Sequence, residues 1–599
     1  MMKNIVSLVL ILMTFNLLAQ KTGFDCGTSL PMEKVILHTD REAYLVGETI
    51  WFTAYDLVEG QLNATVSKIL LIELFDDQGR SLVQQKYPLE EGMAFGGMDI
   101  PEEVGTGHFF VRAYTQYLRN FPPMAYANNV IVVINPLSDA AKIQPIDKKD
   151  EATSDIVDAL VAPTWKPVQV SVDRSEYAPR EKVAITLTGQ APQASHLSIS
   201  VRPLGTGMNP EVLPDYLMAN PWLAPSYLDQ WPLSAALEKQ WKQDIKGVAL
   251  PDQIDSLAFL PDTRGISLSG IVRDKNTKTP VPGVICLASV VGQQPQIHLN
   301  TTREDGAFVF AFDQLQGEQD LCVGMSNRDA GEVEILINND FSTDFSALQA
   351  VPLTFDSAQH RLFEKMYLNE QLQQQFSWAK TVSSTPPAED LIPSTNLGTA
   401  DEFFEIADFI DLPTLEDVFR EVIPFVKVRG KVGARTLSIW DKQIELYNDN
   451  PVVLLDNVPI YDIDELLKLN PKNIQRIGVI YANYLLGDYL FGGMLSITTS
   501  TDNFAGYQWP GESVFFSFTT ISSGKTFQYP DYSVPGTRES RKPDFRTTLY
   551  WNPQVALTQE EKTINFFTSD FTGDFEVIVR GVSEDGSLLY GKTTFSVHR

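Results

Sequence analysis

The chain has 599 residues, enough for about four domains at the usual size of roughly 150 residues each. With 43% hydrophobic and 21% charged residues, 37 glycines and 36 prolines, it is an ordinary folded protein, which excludes a disordered or collagen-like chain. Its 76 acidic and 47 basic residues give a net charge of −29, which repels a phosphate backbone and argues against nucleic-acid binding.

The N-terminus predicts a signal peptide over residues 1–19. Lys3 precedes a short apolar run, Ile5–Met13, and a small residue follows at Ala19. A membrane anchor is disfavoured because a spanning helix needs about 20 apolar residues. No later stretch is apolar for long enough either, so we expect an exported chain without a spanning helix.

Three cysteines bear on the redox state of the protein. Cys286 and Cys322 lie in apolar, strand-like runs of one small domain, and Cys26 lies near the mature terminus. In an oxidising compartment a Cys286–Cys322 disulfide is possible, and two buried free thiols are the alternative. The sequence does not decide between them.

Residues 33–136 predict a β-sandwich, because short apolar strands alternate with turns such as Asp76–Gly79. The run Leu37–Glu48 (LHTDREAYLVGE), followed by an aromatic strand, resembles the second macroglobulin domain of α2-macroglobulin-like proteins. The segment Gly105–Tyr114 (GTGHFFVRAY) fits the same resemblance. A macroglobulin-like sandwich is therefore expected here, followed by a polar linker over 137–165.

A second sandwich is predicted to be split along the chain. Residues 166–205 supply three strands and echo the Glu42–Glu48 pattern, and residues 541–599 supply four more. Seven strands complete one macroglobulin-like sandwich, so we expect residues 206–540 to be inserted into it. Two unrelated small β units remain the alternative.

The insertion itself has several predicted parts. Residues 206–264 are rich in Pro and Trp, with one helical run at Leu233–Lys246. Residues 265–340 resemble the carboxypeptidase regulatory-like domain, a transthyretin-like sandwich, through Leu268–Asp274, a Pro-Val-Pro-Gly turn and an Asp-Gly turn before Phe308. Residues 341–410 are predicted as a linker, partly disordered, with an amphipathic helix at Asp356–Ala379.

Residues 411–500 resemble the plug domain of TonB-dependent outer-membrane receptors, which predicts a small α+β domain. The family usually has Asp-Gly-Val where this chain has Asp-Asn-Val, and Asn also tolerates positive φ. The residues that carry the resemblance are Asp456, Asn457, Val458, Pro459, Asn470, Pro471, Ile474, Ile477, Gly492 and Gly493. Residues 501–540 are predicted as a linker.

A complete receptor also needs a membrane barrel after its plug. About 22 strands of about 10 residues require roughly 220 residues, whereas 99 residues follow Ser500. We therefore expect no barrel here, so the plug-like domain either docks on a separate barrel or is reused for binding.

Catalytic motifs give no candidate enzyme. Gly586–Thr593 fits the phosphate-loop expression, but a strand follows it where the motif requires a helix, so we expect no nucleotide. The six histidines are scattered without metal-ligand spacing. No nucleophile elbow or Cys-Gly-Glu-Gln thioester is present, and we expect neither a cofactor nor a metal.

The sequence thus predicts a mainly β, multi-domain fold: macroglobulin/Ig-like sandwiches, a transthyretin-like sandwich and a small α+β domain. The resemblances imply a non-enzymatic scaffold or accessory protein at the outer membrane, on its periplasmic face or at the cell surface, that contacts envelope proteins. Glycan or peptide binding is the alternative, with a hydrolase as the third. The expected contact residues are Asp462, Asp464, Phe515 and Phe518.

Overall fold

The structure is a computed structural model, and it describes most of the chain from residue 33 onward. The described ranges are 33–62, 66–137, 165–189, 195–207, 258–291, 295–312, 315–325, 332–345, 353, 355–375, 397–409, 411–501, 503–510, 512–557 and 561–599. The predicted signal peptide, Cys26 and the predicted helix at Leu233–Lys246 lie outside them.

Residues 33–134 form a first sandwich of two facing sheets. Its strands are β1 (Glu33–Thr39), β2 (Ala43–Leu45), β3 (Thr49–Val58), β4 (Gln61–Leu62), β5 (Ile69–Asp76), β6 (Ser81–Pro88), β7 (Met93–Asp99), β8 (Gly107–Tyr114) and β9 (Ala127–Ile134). One sheet pairs β3 with β1, β4 and β7, and the other runs β2-β9-β8-β5-β6. Apolar residues such as Leu37, Phe52 and Val111 fill the space between the sheets.

Residues 165–203 add five short strands. They are β10 (Trp165–Pro167), β11 (Gln169–Val172), β12 (Glu176–Tyr177), β13 (Lys182–Thr188) and β14 (Ser195–Pro203). β11 pairs with β13. Both strands that pair with β14 come from the C-terminal part of the chain.

A third sandwich follows. Its strands are β15 (Ile266–Asp274), β16 (Ile285–Val291), β17 (Gln296–Thr301), β18 (Ala307–Phe312), β19 (Glu318–Met325) and β20 (Val333–Ile337). One sheet runs β18-β15-β20, and the other contains β17-β16-β19. The Asp-Gly turn before β18 is present, and Gly306 has φ 72° with the Val272 carbonyl only 2.5 Å from where a Cβ would lie.

Helix α1 (Ser357–Gln375) occupies most of the stretch predicted to be helical. The Asp356 carboxylate caps the N-terminus of α1 by accepting hydrogen bonds from the backbone amides of Ala358 (2.8 Å) and Gln359 (2.7 Å). Phe363 and Met366 then project into the core of the second sandwich, which attaches the helix there.

Residues 402–499 form the α+β domain. Its elements are β21 (Glu402–Glu405), α2 (Leu415–Glu421), β22 (Val426–Arg429), β23 (Thr436–Asp441), β24 (Leu446–Asp449), β25 (Val452–Leu455), β26 (Val458–Ile460), α3 (Ile463–Leu466), β27 (Ile474–Ile480), β28 (Tyr484–Leu486), β29 (Tyr489–Phe491) and β30 (Met494–Thr499). The main mixed sheet runs β21-β27-β30-β25-β26, beside a sheet β22-β23-β24 and a hairpin β28-β29. β21 comes from the stretch that the sequence assigned to a linker.

A further strand, β31 (Val514–Thr519), returns to the third sandwich and pairs with β19. This corrects the prediction of a linker over residues 501–540. Val514, Phe516 and Phe518 alternate toward the core, and this period of two is the signal of a strand. The run is only six residues long, which hid it among turn-rich neighbours.

The last strands are β32 (Tyr550–Leu557), β33 (Glu561–Phe567), β34 (Gly573–Ser583) and β35 (Leu588–Val597). β33 pairs with β13, and β14 lies between β32 and β34. Residues 165–203 and 550–597 thus share two sheets and one core. The structure confirms the mainly β, multi-domain fold class, and no helix in the described ranges is long and apolar enough to cross a membrane.

Candidate functional site

A recess of about 330 Å³ lies between the third sandwich and the α+β domain, and we refer to it as the cleft. Three parts of the chain line it. They are Leu287, Cys322, Gly324 and Met325 from the third sandwich, Pro459–Asp462 and Glu465 from the α+β domain, and Tyr507–Pro510, Glu512 and Ser513 from the segment before β31. Its volume lies at the lower end of the roughly 300–1,000 Å³ typical of ligand sites.

The cleft exists because the α+β domain covers only part of one sheet of the third sandwich. Ile297 on β17 packs against Val452, Leu454 and Met494 of the α+β domain in one apolar cluster. The β19 side of the same sheet is left open. Among the described residues, a Cβ at Gly324 would meet only Ser513 Oγ at 3.7 Å and Leu287 Cδ1 at 4.0 Å, so this residue leaves space in the wall.

The two predicted contact carboxylates, Asp462 and Asp464, have different roles. Asp462 lines the cleft and caps α3, where the Glu465 amide donates to its Oδ1 at 2.9 Å. Asp464 instead accepts hydrogen bonds from the amides of Gly433 (2.9 Å) and Arg435 (3.0 Å) and holds the β22–β23 turn. Only Asp462 belongs to the cleft.

The predicted aromatic contacts also separate. Phe515 is 43% exposed, and its ring lies 5.1 Å from that of Trp509, which lines the cleft. Phe518 is only 6% exposed and belongs to the core of the third sandwich. A partner can therefore reach Phe515, and the prediction for Phe518 is wrong because the strand turns that side chain inward.

The turn Asp456–Asn457 joins β25 to β26 as a two-residue hairpin, with φ of 46° and 67°. The Asp456 carboxylate accepts hydrogen bonds from the backbone amide and the hydroxyl of Thr499, both at 2.7 Å. Val458 is buried, and Pro459 reaches the cleft.

The other residues of the plug-like motif shape the α+β domain. Asn470 accepts a hydrogen bond of 3.0 Å from the Lys472 amide and begins the turn that contains Pro471. Ile474 and Ile477 are buried in the core. A Cβ at Gly492 would lie 2.4 Å from the Asp449 carbonyl, and one at Gly493 would lie 2.7 Å from the Ile480 carbonyl.

Cys286 and Cys322 are both free, buried thiols, so the possible disulfide is not formed. Cys322 lies opposite Ser289 on the neighbouring strand, three residues from Cys286. Residues three apart on a strand point to opposite faces, so Cys286 faces the core while Cys322 lines the cleft. Burial raises the pKa of both thiols to about 12, which keeps them protonated and poorly nucleophilic at neutral pH.

The remaining lining residues suit contact with a ligand. Burial raises the pKa of Tyr461, so its hydroxyl stays protonated. No group of three His, Cys, Asp or Glu side chains suited to a metal occurs in the described part of the chain. The phosphate-loop match falls on the β34–β35 turn and on β35, a strand. The cleft thus offers aromatic surface, hydrogen-bonding groups and carboxylates.

The first sandwich is fixed to the β31 region through Lys86. Its ammonium donates a hydrogen bond of 2.5 Å to Asp340 and lies 4.1 Å from the centre of the Phe518 ring. Its carbonyl accepts from the Ser522 amide at 2.8 Å. Since Lys86 and Asp340 are both buried, this contact holds the two sandwiches in one arrangement beside the cleft.

Buried polar contacts also join the first two sandwiches. The Tyr55 hydroxyl donates to Ser198 Oγ at 3.0 Å, and His38 Nδ1 lies 2.6 Å from the same oxygen. The hydroxyls of Ser200 and Thr548 both donate to Asp40, at 2.6 Å. Burial lowers the pKa of His38, so its ring is neutral in this interface.

Sequence reasoning did not single out several residues of the cleft. Tyr507 and Trp509 fall in the stretch predicted as a linker, and Gly324 and Met325 carry no motif. The one available signal was the run Tyr507–Pro510 (YQWP), which is too aromatic for an ordinary linker.

No protein-family model matches the chain, and no curated protein matches it. Among solved structures, native Escherichia coli alpha-2-macroglobulin, determined by cryo-EM, is similar at 10% identity and a TM-score of 0.23, covering 96% of this chain and 40% of that chain. Salmonella alpha-2-macroglobulin reacted with methylamine gives 10% identity, a TM-score of 0.23, and coverage of 96% and 40%. This chain therefore spans about two fifths of the length of those proteins.

A third solved structure is the tetra-tandem repeat from the extending region of a large adhesion protein. It is 9% identical, with a TM-score of 0.12, and the match covers 95% of this chain and 100% of that chain.

Proposed function

We propose that this chain is an exported, non-enzymatic scaffold or accessory protein of the bacterial outer membrane, which acts by protein–protein contacts. Its partner is an outer-membrane barrel or another envelope protein. The observation that carries the proposal is the cleft, an open recess with aromatic and acidic walls beside the α+β domain. Protein interfaces are enriched in aromatic residues of this kind.

The domain contacts support a scaffold. Buried hydrogen bonds and ion pairs fix the first sandwich to the second and to the third, as at Tyr55–Ser198 and Lys86–Asp340. A partner that enters the cleft would then meet a pre-organised surface, and pre-organisation lowers the entropic cost of binding. The net charge of −29 favours a basic partner.

A surface glycan-binding protein is the second candidate. Tyr461 and Trp509, both on the cleft wall, are the specific observation in its favour, because aromatic rings offer stacking surface to a ligand. The two candidates differ in what the cleft retains from cells, a polypeptide or a polysaccharide.

A variant that fills the cleft tests both candidates. A Cβ at Gly324 would lie no closer than 3.7 Å to any described side chain, and a Phe there would project from this position into the recess. We expect Gly324→Phe to remain folded. After cross-linking, an envelope protein should be recovered with the wild-type chain but not with this variant. Gly105→Phe is the matched control, because Gly105 also has free space around it and lies in the first sandwich. If Gly324→Phe and wild type retain the same amount of the envelope protein, the cleft is not the binding site. If wild type retains polysaccharide alone, the glycan candidate is favoured.

A further inference from the structure

We infer that the cleft takes an extended, basic segment of the partner chain, which adds as a new strand to the outer edge of β31. The inference rests on the proposed function and specifies the chemistry of the bound segment.

β31 is the outermost strand of its sheet, which runs β17-β16-β19-β31. Directly after it, Ile521 and Ser522 pair with Lys86 of β6, so an added strand is confined to the edge of Val514–Thr519. Its register with β19 is continuous from Val514, opposite Val323, to Thr519, opposite Glu318. An outer strand offers a row of backbone donors and acceptors to an incoming chain, and proteins usually protect such edges with Lys, Pro or a bulge. The sequence of β31, VFFSFT, contains none of these residues, and its pairing shows no bulge.

The side chains of β31 direct an added strand toward the cleft. Phe515 and Ser517 are exposed, and Phe515 lies opposite Cys322, a cleft residue, on the same face of the sheet. A strand added beside β31 would send every second side chain to that face. Those side chains would meet Phe515 and the Trp509 ring.

The charge of the cleft selects the segment. Among the described residues that line the cleft, Asp462, Glu465 and Glu512 carry carboxylates, and none is Lys, Arg or His. Glu465 already pairs with the ammonium of Lys468 at 2.5 Å, so Asp462 and Glu512 contribute most of the charge that an incoming segment would meet. An incoming segment with Lys or Arg at alternate positions would place its charges against these carboxylates.

Synthetic peptides test strand addition directly. The probe is a fluorescein-labelled octapeptide of alternating Lys and Val, titrated into the full chain and followed by fluorescence anisotropy. We expect saturable binding, lost for the alternating Glu and Val peptide. N-methylation of every second residue keeps the charges but blocks ladder hydrogen bonds, so we expect it to weaken binding by at least about tenfold.

Glu512→Lys supplies the matched change in the protein, and we expect it to weaken binding of the Lys–Val peptide several-fold while leaving the unfolding midpoint unchanged. Strand addition is overturned if the N-methylated or the acidic peptide binds as tightly as the probe, or if the probe does not bind at millimolar concentration. These failures leave the proposed function standing as long as Gly324→Phe still abolishes capture of an envelope protein.

Discussion

The guanidinium of Arg180 binds the carboxylate of Asp570 through two hydrogen bonds, of 2.8 Å and 2.6 Å, although 390 positions separate the two residues in the chain. The same guanidinium donates to the backbone carbonyls of Ser540 (2.5 Å) and Lys542 (2.6 Å). Arg180 thus ties the early strands of the second sandwich to its late ones. The corresponding position in the first sandwich is Gly47, and both residues have positive φ, 57° and 77°.

Substitutions of Arg180 separate the contribution of its charged hydrogen bonds from the cost of its positive φ. Arg180→Gly relieves the backbone strain of the positive φ but removes the charged hydrogen bonds. We expect a net loss of about 1–3 kcal/mol in the free energy of unfolding. Arg180→Ala loses the same bonds and keeps the strained backbone, so it should be less stable by about 1 kcal/mol more. Urea unfolding measures both, with Arg541→Ala, an exposed arginine of the same segment, as the control. Equal stability of wild type and Arg180→Gly would contradict this role.

Arg112 holds the segment that follows the third sandwich against the first. It donates to Glu73 (2.9 Å) and to the carbonyls of Asp344 (2.9 Å) and Ser342 (2.5 Å). We expect Arg112→Ala to cost about 3–5 kcal/mol, because it leaves the buried Glu73 carboxylate without its cation. Amide hydrogen exchange across residues 339–345 should accelerate at the same time.

The matched control for Arg112 is Arg80→Ala. Arg80 also pairs with a carboxylate, that of Asp76, but its side chain is 74% exposed. We expect a change within about 0.5 kcal/mol. If both variants lose the same stability, burial of the Arg112 pair is not what matters.

Asp56 makes stability depend on pH. Neither of its carboxylate oxygens has a hydrogen-bond partner among the described residues, and burial, then the charge of Glu33, raises its pKa well above the ordinary value. The folded state therefore binds this proton more tightly than the unfolded state, and stability falls as pH rises above the ordinary Asp pKa of about 4.

We expect Asp56→Asn to raise the free energy of unfolding at pH 7 by about 1–3 kcal/mol, because it removes an unpaired buried acid. The advantage over wild type should shrink as the pH is lowered toward about 4. Urea unfolding at several pH values measures the difference, with the exposed Asp77→Asn as control. An advantage that grows on acidification would show that the sign is wrong.

The local pattern of the sandwiches was predictable because it repeats. In the run Asp40–Glu48, the Tyr44 hydroxyl donates to Asp40 at 2.8 Å, and in the second copy the Tyr177 hydroxyl donates to Asp173 at 2.7 Å. Such bonds join residues four apart in the chain, so sequence spacing reveals them. The mainly β fold class followed from the same strands and turns.

The cleft was not predictable in this way. Its walls come from three segments that meet only because the α+β domain packs on one half of a sheet, leaving space beside Gly324. The free state of Cys322 depends on a strand register that spacing cannot give. Phe518 is inside for the same reason, since a shift of one residue would reverse every side chain of β31.

The most direct test of the proposed role is photo-crosslinking in living cells from Gln508, an exposed residue of the cleft. A photoreactive amino acid at Gln78, exposed on a turn of the first sandwich, serves as the comparison. We predict that position 508 attaches to one envelope protein that position 78 does not capture. Identical products from both positions, or none from either, would contradict a partner in the cleft.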